Sequence, residues 1–320
     1  MAIYAGVDLG GTNISIGVVN EEGTILARTR VKTAMPRGSE AIMADMAGGI
    51  GTAVGLLGKD VSDLSGVGVG VPGVANGSTG VVEYACNLSF FNVPMVRFLE
   101  ASLGVPAFIE NDANAAAYGE YMAGAAKGLQ SMVMVTIGTG VGGGIILDGK
   151  IYTGFGYAGG ELGHMVIDPA GPLCNCGRRG CLEQFTSIKA LVRMTKEEMD
   201  RSKESLLWQV ATEAGKVDGR TVFRAKERGD AAAERVFNRY IGYLGLGLTN
   251  LINILQPEIL CIGGGISKEG DGLVIPLAEY IDTYRYARGN GKTTKLCAAT
   301  LGNDAGIIGA ALLSRQFLNR

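Results

Sequence analysis

The sequence has little excess of either charge, since 31 acidic and 29 basic residues leave a formal net charge of −2. This balance offers no electrostatic footprint for nucleic acid or for an anionic membrane surface, so neither is expected as a partner. No uninterrupted apolar run reaches the ~18 residues of a membrane span. The first residues also lack the basic and apolar segments of a secretory signal peptide. We therefore expect a cytoplasmic protein.

Proline is scarce, at 8 residues, and no Pro-rich linker or low-complexity stretch divides the chain. The 320 residues correspond to about two domains of roughly 150 residues each. Glycine is abundant by contrast, at 51 residues, and it clusters at the ends of apolar runs. Such clustering indicates tight turns where the backbone approaches a ligand closely.

The order of apolar runs and turns predicts an α/β fold whose two halves resemble each other. The first half begins with three short strands over residues 3–31, which we expect to form an antiparallel meander, and it closes with an Ala-rich helix ending near Ala123. The second half begins at Ser131 with another strand, glycine-rich turn and strand. Apolar residues at spacings of three and four predict a long helix over about 231–255, stopped by Pro257.

These patterns predict two lobes with a cleft between them. We place the N-terminal lobe at 1–123 and the C-terminal lobe at 124–303, with a hinge in the small-residue stretch 124–130. The last helix, within 304–320, is expected to cross back to the N-terminal lobe.

A glycine-rich turn after the first strand has features of a phosphate-binding site. Gly10 and Gly11 let backbone N–H groups reach phosphate oxygens without a Cβ in the way, and Thr12 and Asn13 add side-chain donors. Asp8, at the strand end, could hold Mg²⁺ directly or through water. On its own the motif is equally compatible with an ordinary hairpin turn.

A second glycine-rich turn begins at Gly138, Thr139 and Gly140 and formally contains G-x-G-x-x-G, completed by Gly143. A Rossmann dinucleotide site, and with it an NAD-dependent oxidoreductase, therefore has to be considered. That fingerprint should open a helix, whereas the residues that follow continue as a strand and reach a hairpin turn at Asp148. A second phosphate-binding turn fits this context better.

The segment Glu110-Asn111-Asp112-Ala113-Asn114 lies between an apolar strand and the Ala-rich helix. Asn111 or Asp112 could simply be the N-cap of that helix. However, a helix N-terminus favours the ionised form of a carboxylate, as a catalytic base requires. Carboxyl ends of strands also face the ligand crevice in such folds. Asp112 is therefore the candidate base.

Four metal-binding side chains occur within 18 positions: His164, which is the only histidine, Cys174, Cys176 and Cys181. A Cys₃His set is the composition of a closed structural Zn²⁺ site, in which the metal pins a loop and does not activate water. The alternative is coincidental clustering in a reduced protein.

Two acidic residues flank this metal motif. The predicted metal loop carries Glu161 and Glu183. Such a pair of carboxylates is suited to hydrogen-bonding vicinal sugar hydroxyls, and the alternative is that both acids are solvated at the surface.

The other three cysteines lie outside this motif. Cys86, Cys261 and Cys297 have apolar neighbours, and we expect them to be buried small residues.

Together these motifs resemble the ROK family of bacterial sugar kinases and regulators, in the family's order and over nearly the whole chain. The glycine turns are shared with the wider hexokinase, actin and Hsp70 superfamily, but the signature from Glu161 to Glu183 is highly specific. The resemblance implies a two-lobed actin-like ATPase fold, ribonuclease H-like, with an interlobe cleft and a zinc-pinned loop. It also implies an ATP-dependent hexokinase that converts glucose to glucose 6-phosphate, and a homodimer.

The resemblance further implies individual roles, with Asp112 as the catalytic base. The residues that would face the sugar are Asn87, Asn111, Asp112, Glu161, His164 and Glu183. The residues that would bind ATP and Mg²⁺ are Asp8, Gly10, Gly11, Thr12, Asn13, Gly138, Thr139, Gly140, Gly264 and Gly265. Structural Zn²⁺ would be held by His164, Cys174, Cys176 and Cys181.

One departure from the family concerns the sugar. Family glucokinases commonly have a Pro-Asn-Leu-x-x-Trp segment there, whereas residues 85–91 read Ala-Cys-Asn-Leu-Ser-Phe-Phe and keep only the asparagine, Asn87, and the leucine. N-acetylmannosamine, N-acetylglucosamine, fructose and allose therefore stay open as substrates. A non-enzymatic, sugar-responsive regulator of the family would carry an added N-terminal helix-turn-helix region. The first predicted strand here begins by Ile3, so we expect a kinase and keep the regulator as the alternative.

Overall fold

The computed structural model describes residues 2–289 and 291–318. In this part of the chain the strands form three sheets, two of five strands and one of three, and helices alternate with them to give a mixed α/β fold. None of the helices described there is both long and apolar enough to cross a membrane.

The strands, in chain order, are β1 (Ile3–Leu9), β2 (Asn13–Asn20), β3 (Ile25–Lys32), β4 (Leu64–Val71), β5 (Val74–Asn76), β6 (Val81–Ala85), β7 (Phe90–Val93), β8 (Ala107–Asn111), β9 (Met132–Ile137), β10 (Val141–Leu147), β11 (Lys150–Ile151), β12 (Ile259–Gly263) and β13 (Lys295–Ala298). The helices are α1 (Ser39–Gly55), α2 (Met95–Leu103), α3 (Asp112–Ala123), α4 (Glu183–Thr186), α5 (Ile188–Arg201), α6 (Leu206–Glu213), α7 (Thr221–Glu227), α8 (Ala231–Leu255), α9 (Asp271–Tyr284) and α10 (Ala305–Leu318).

The chain divides into two compact units. The first extends to Val133 and also contains Gly144–Gly160 and the chain from Thr300 onward, while the second contains Met134–Gly143 and Glu161–Ala299. The division into lobes at residue 123 stays a prediction.

The first five-stranded sheet has the order β3-β2-β1-β4-β8. Strands β1, β2 and β3 are antiparallel neighbours, which confirms the predicted meander, whereas β4 and β8 continue the sheet in parallel with β1. Exposure explains the different sequence patterns. The central β1 is almost wholly buried and reads as a continuous apolar run, while the edge strand β3 alternates between half-buried and exposed residues.

Helix α10 lies very close to this sheet because glycines remove the side chains between them. A Cβ on Gly6 of β1 would collide with the carbonyl oxygen of Ile307, and one on Gly68 of β4 would collide with that of Ala310. The C-terminal helix is therefore a structural layer of the unit that contains the first strands.

A fully buried carboxylate, which the sequence analysis did not single out, holds the returning chain to helix α3. Glu120 is 0% exposed. Its carboxylate accepts hydrogen bonds from the backbone N–H of Leu301 at 2.6 Å, the N–H of Ala125 at 2.9 Å and the hydroxyl of Thr300 at 3.0 Å. A buried carboxyl group needs such hydrogen-bond partners, because without them its burial would be unfavourable.

The second five-stranded sheet has the order β11-β10-β9-β12-β13. The long helix α8 has the predicted bounds, and Asp230 caps its first turn by accepting a bond from the N–H of Ala233 at 2.7 Å. Gln256 then takes a left-handed conformation before Pro257, so the predicted stop is also confirmed. The three-stranded sheet of β5, β6 and β7 was not predicted, since its strands have only three to five residues.

Candidate active site and metal centre

In the first unit, acidic residues lie where neighbouring parallel strands end. Asp8 near the end of β1 pairs with Gly70 of β4, and the next residue of β4, Val71, pairs with Asn111 at the end of β8. Because the carboxyl ends of parallel strands share one edge of a sheet, this register brings Asp8 to the same edge as Asn111 and the following Asp112.

The start of helix α3 shows which of Asn111 and Asp112 is the N-cap, a choice that the sequence left open. Asn111 is the N-cap: its side-chain oxygen accepts bonds from the N–H groups of Ala113 at 2.9 Å and Asn114 at 3.2 Å, and its amide nitrogen donates to the Gly73 carbonyl at 3.0 Å. Asp112 is the first helical residue, half-buried, with one oxygen 2.8 Å from the N–H of Ala113. Asp112 is thus not required for capping.

Both carboxyls at this edge have raised pKa values. Burial, together with the charge of Asp112, raises the pKa of Asp8 from 3.8 to about 6. Burial also raises the pKa of Asp112, although the N–H of Ala113 partly opposes that shift. Two such acids repel each other when both are ionised, and a divalent cation would relieve that repulsion, so the pair fits the carboxylate chemistry of a Mg²⁺ site.

Asp8 should therefore destabilise the ligand-free protein at neutral pH. Its neutral form is favoured by folding, so its contribution to stability is complete below pH 3.8 and is lost as the pH rises through about 6. An Asp8→Asn variant should be more stable than the parent at pH 7.5, by up to about 3 kcal/mol, and the difference should shrink towards pH 4. Urea unfolding without nucleotide or Mg²⁺ measures both values.

The matched control is Asp200→Asn, because the Asp200 side chain is 75% exposed beside Lys203 and its surface ion pair contributes little. That variant should follow the parent at every pH. An Asp8→Asn protein less stable than the parent at pH 7.5 would contradict the prediction.

The first glycine turn is held by a residue that no sequence signal identified. The hydroxyl of Thr33 donates to the Gly10 carbonyl at 2.6 Å, and its N–H donates to the Thr12 carbonyl at 2.9 Å. Thr33 is fully buried just beyond strand β3. Asn87 also lies at this turn, since a Cβ on Gly11 would be 3.9 Å from the Asn87 Cβ. The fold thus brings a predicted sugar residue next to a predicted phosphate turn.

The second glycine turn, in the other unit, joins β9 to β10 and contacts Glu183. The backbone N–H of Val141 donates to Glu183 Oε2 at 2.9 Å. A Cβ on Gly140 would lie only 2.5 Å from the same oxygen. Gly264, which follows β12 with φ +79°, would collide with the Ile137 carbonyl if it carried a Cβ. The predicted nucleotide glycines at 138–140 and 264–265 therefore lie at one edge of the second sheet.

The four predicted metal ligands form one cluster in the second unit. Their ligand atoms all lie within 4.8 Å of one another. His164 Nδ1 is 3.6 Å from Cys174 Sγ, and Cys176 Sγ is 3.6 Å from Cys181 Sγ. Tetrahedral zinc bonds of about 2.3 Å to sulfur and 2.0 Å to nitrogen give edges of about 3.5–3.8 Å. Both the donor set and these two separations fit structural Zn²⁺.

The surroundings of the cluster affect the protonation of one of its cysteines. Burial, with the neighbouring thiols, raises the pKa of the Cys181 thiol to about 12. A metal ion replaces such protons when it binds thiolates. Glu161 begins the 3₁₀ turn that carries His164: the backbone N–H of His164 donates to the Glu161 carbonyl at 3.0 Å, and the Glu161 side chain is exposed.

The remaining cysteines differ in part from the expectation. Cys86 was expected to be buried but is exposed, because the short 3₁₀ helix Cys86–Leu88 turns it outward next to Asn87. Cys261 is buried and Cys297 is half-buried. Their sulfur atoms are 3.0 Å apart on paired residues of β12 and β13.

Comparison with known proteins gives a consistent result. The family model described as ROK family matches residues 4–317. A glucokinase of Halalkalibacterium halodurans is 38% identical over 98% of this chain and 95% of its own, and one of Thermotoga maritima is 38% identical over 97% and 96%. The crystal structure of a ROK family glucokinase from Streptomyces griseus in complex with glucose and AMPPNP covers 98% of this chain and 100% of that one, with 34% identity and a TM-score of 0.80.

Proposed function

The chain belongs to the ROK family, and from this membership we propose that it transfers the γ-phosphoryl group of ATP to the 6-hydroxyl of glucose. It is a hexose kinase, and the choice of glucose among hexoses is supported by its likeness to glucokinases over nearly the whole chain. The observation that best supports phosphoryl transfer is the position of Asp112. It is a half-buried carboxylate in the first turn of α3, at the sheet edge that also holds Asp8.

Asp112 acts as the general base in this proposal. The sugar hydroxyl gives its proton to the Asp112 carboxylate as its oxygen bonds to the γ-phosphorus, and the bond from that phosphorus to the β–γ bridging oxygen breaks, so that ADP leaves. Phosphoryl transfer of this kind depends mainly on positioning and charge neutralisation. The raised pKa of Asp112 makes it a better proton acceptor than an ordinary carboxylate, while the helix N-terminus favours its ionised form.

The glycine turns hold the phosphates. Backbone N–H groups of Gly10–Asn13 and of 138–140 donate to phosphate oxygens, and Thr12, Asn13 and Thr139 can add their side chains. Asp8 would hold Mg²⁺, which would supply charge neutralisation to the phosphates. Adenosine is placed by Gly264 and Gly265.

In this proposal, polar side chains that the family resemblance assigns to the sugar site orient the hexose. Asn87 lies beside the Gly11 turn, and Asn111 keeps one amide hydrogen beyond its bond to Gly73. Glu161, His164 and Glu183 belong to the loop of the metal cluster. Because His164 faces Cys174 through Nδ1, its other nitrogen, Nε2, is the one that can reach a hydroxyl.

A coupled ADP-release assay over a hexose panel tests this proposal. With Mg²⁺-ATP, glucose should give the highest kcat/KM among glucose, N-acetylmannosamine, N-acetylglucosamine, fructose and allose. If another hexose gives the highest kcat/KM, that hexose replaces glucose as the proposed substrate, and the proposed kinase activity stands. Turnover of none of them, together with stabilisation by NAD and not by Mg²⁺-ATP in a thermal shift, would refute phosphoryl transfer. Homodimer formation stays a prediction from the family resemblance, and a cytoplasmic location stays a prediction from the sequence.

A further inference from the structure

The segment from Cys181 to Ile188 connects the metal cluster directly to the β9–β10 turn. Cys181 belongs to the cluster, and its carbonyl accepts a bond from the N–H of Gln184 at 2.9 Å. Glu183 then accepts from the Val141 N–H at 2.9 Å, just after the turn. The N–H of Ile188 donates to the Gly138 carbonyl at 2.9 Å, at the start of the turn. Both ends of the turn are thus bonded to the chain that leaves the metal site.

The two glycines of this turn differ in what surrounds them. Among the described residues, nothing lies within 4 Å of a Cβ built on Gly138, apart from its chain neighbours. The Cβ of a residue at 140 would lie 2.5 Å from Glu183 Oε2 and 3.5 Å from its Cδ. Gly140 therefore has a reason to be glycine that does not involve phosphate: it leaves room for the Glu183 carboxylate.

We propose that Glu183 couples the sugar site to the phosphate turn, an inference that rests on the proposed hexose kinase activity. The turn binds Oε2 through Val141, which leaves Oε1 as the oxygen that accepts a bond from a sugar hydroxyl. The turn thereby sets the position of a sugar-binding carboxylate. Glu183 is a positioning residue for the turn as well as a ligand of the sugar.

This arrangement has a thermodynamic consequence. A shift of the turn on nucleotide binding moves Oε2 and with it the sugar-binding oxygen, so the nucleotide changes the affinity for the sugar. By linkage, the sugar changes the affinity for the nucleotide by the same factor. A substitution in the turn that displaces Glu183 should weaken sugar binding even when no nucleotide is present.

Calorimetric titration of the preferred hexose into the protein without nucleotide tests the coupling. Gly140→Ala should lower hexose affinity about tenfold to a hundredfold, the range expected when a hydrogen bond to a charged group is lost. Gly138→Ala, the same change two residues earlier, should alter hexose affinity less than about twofold, since its methyl group meets no neighbour. Gly242→Ala on α8, also without neighbours within 4 Å among the described residues, is the control for an added methyl group.

A double-mutant cycle separates coupling from general damage. In a Glu183→Ala background, Gly140→Ala should have no further effect on hexose affinity, because the group that it displaces is absent. Zinc content and the unfolding midpoint of each variant report on folding. Equal losses for Gly138→Ala and Gly140→Ala, or an undiminished effect of Gly140→Ala without Glu183, overturn the coupling. A parent protein that binds no hexose overturns the proposed function and the coupling together.

Discussion

An Asp112→Asn variant should bind glucose with an affinity within about threefold of the parent and should lose about 10²–10⁴-fold in turnover. Asparagine keeps the size of the side chain and one acceptor oxygen, so it can still receive a hydrogen bond from the sugar. It cannot take the proton, and the hydroxyl then has to attack without a base. Asn111, and not Asp112, caps helix α3, so the substitution should leave the fold intact.

The pH profile gives a second measurement for the same variant. Burial raises the pKa of Asp112, so kcat/KM of the parent should fall on the acid side at a pH above the ordinary 3.8 of an aspartate. The residual activity of Asp112→Asn should lack that limb. Asp200→Asn serves as the control for the loss of one carboxylate. Undiminished kcat in Asp112→Asn, or an unchanged acid limb, would mean that another group is the base.

The second large effect is expected from the metal cluster. A Cys176→Ser variant should purify with almost no zinc, against about one zinc per chain for the parent, and its KM for the sugar should rise at least about tenfold. Cys176 is exposed, so serine creates no cavity and the loss comes from the missing thiolate ligand. Without the metal, the loop that carries Glu161, His164 and Glu183 loses the bonds that fix it.

Metal analysis and hydrogen exchange over residues 161–183 distinguish this effect from a direct catalytic one. Exchange there should accelerate in Cys176→Ser and in parent protein treated with a chelator, and added Zn²⁺ should reverse it only in the parent. Cys297→Ser, outside the cluster, should keep the zinc. A parent protein that contains no zinc and still binds sugar would contradict the assignment.

Much of the fold could be predicted from the sequence because the signals are local. The meander of β1 to β3 and the helix α8 follow from alternation and from apolar residues at spacings of three and four, which depend only on neighbours along the chain. The three-stranded sheet of β5 to β7 escaped prediction because its strands are too short to show a period. Cys86 was placed wrongly for a related reason: apolar neighbours in the sequence do not reveal that a 3₁₀ helix turns its side chain outward.

Within the candidate site, the kinds of chemistry could be read from the amino-acid sequence: a carboxylate beside a helix start, two glycine turns and a set of three thiols and one imidazole. These depend on residue type and spacing along the chain, which the sequence states directly. The folded structure was needed to show that Asn111 caps helix α3 and leaves Asp112 available, that Thr33 holds the first turn, and that Gly140 makes room for Glu183. The contacts of Thr33 and of Glu183 join residues more than 20 positions apart in the chain, so no local sequence pattern predicts them. The choice of Asn111 over Asp112 as the N-cap depends on backbone geometry, which the residue types do not specify.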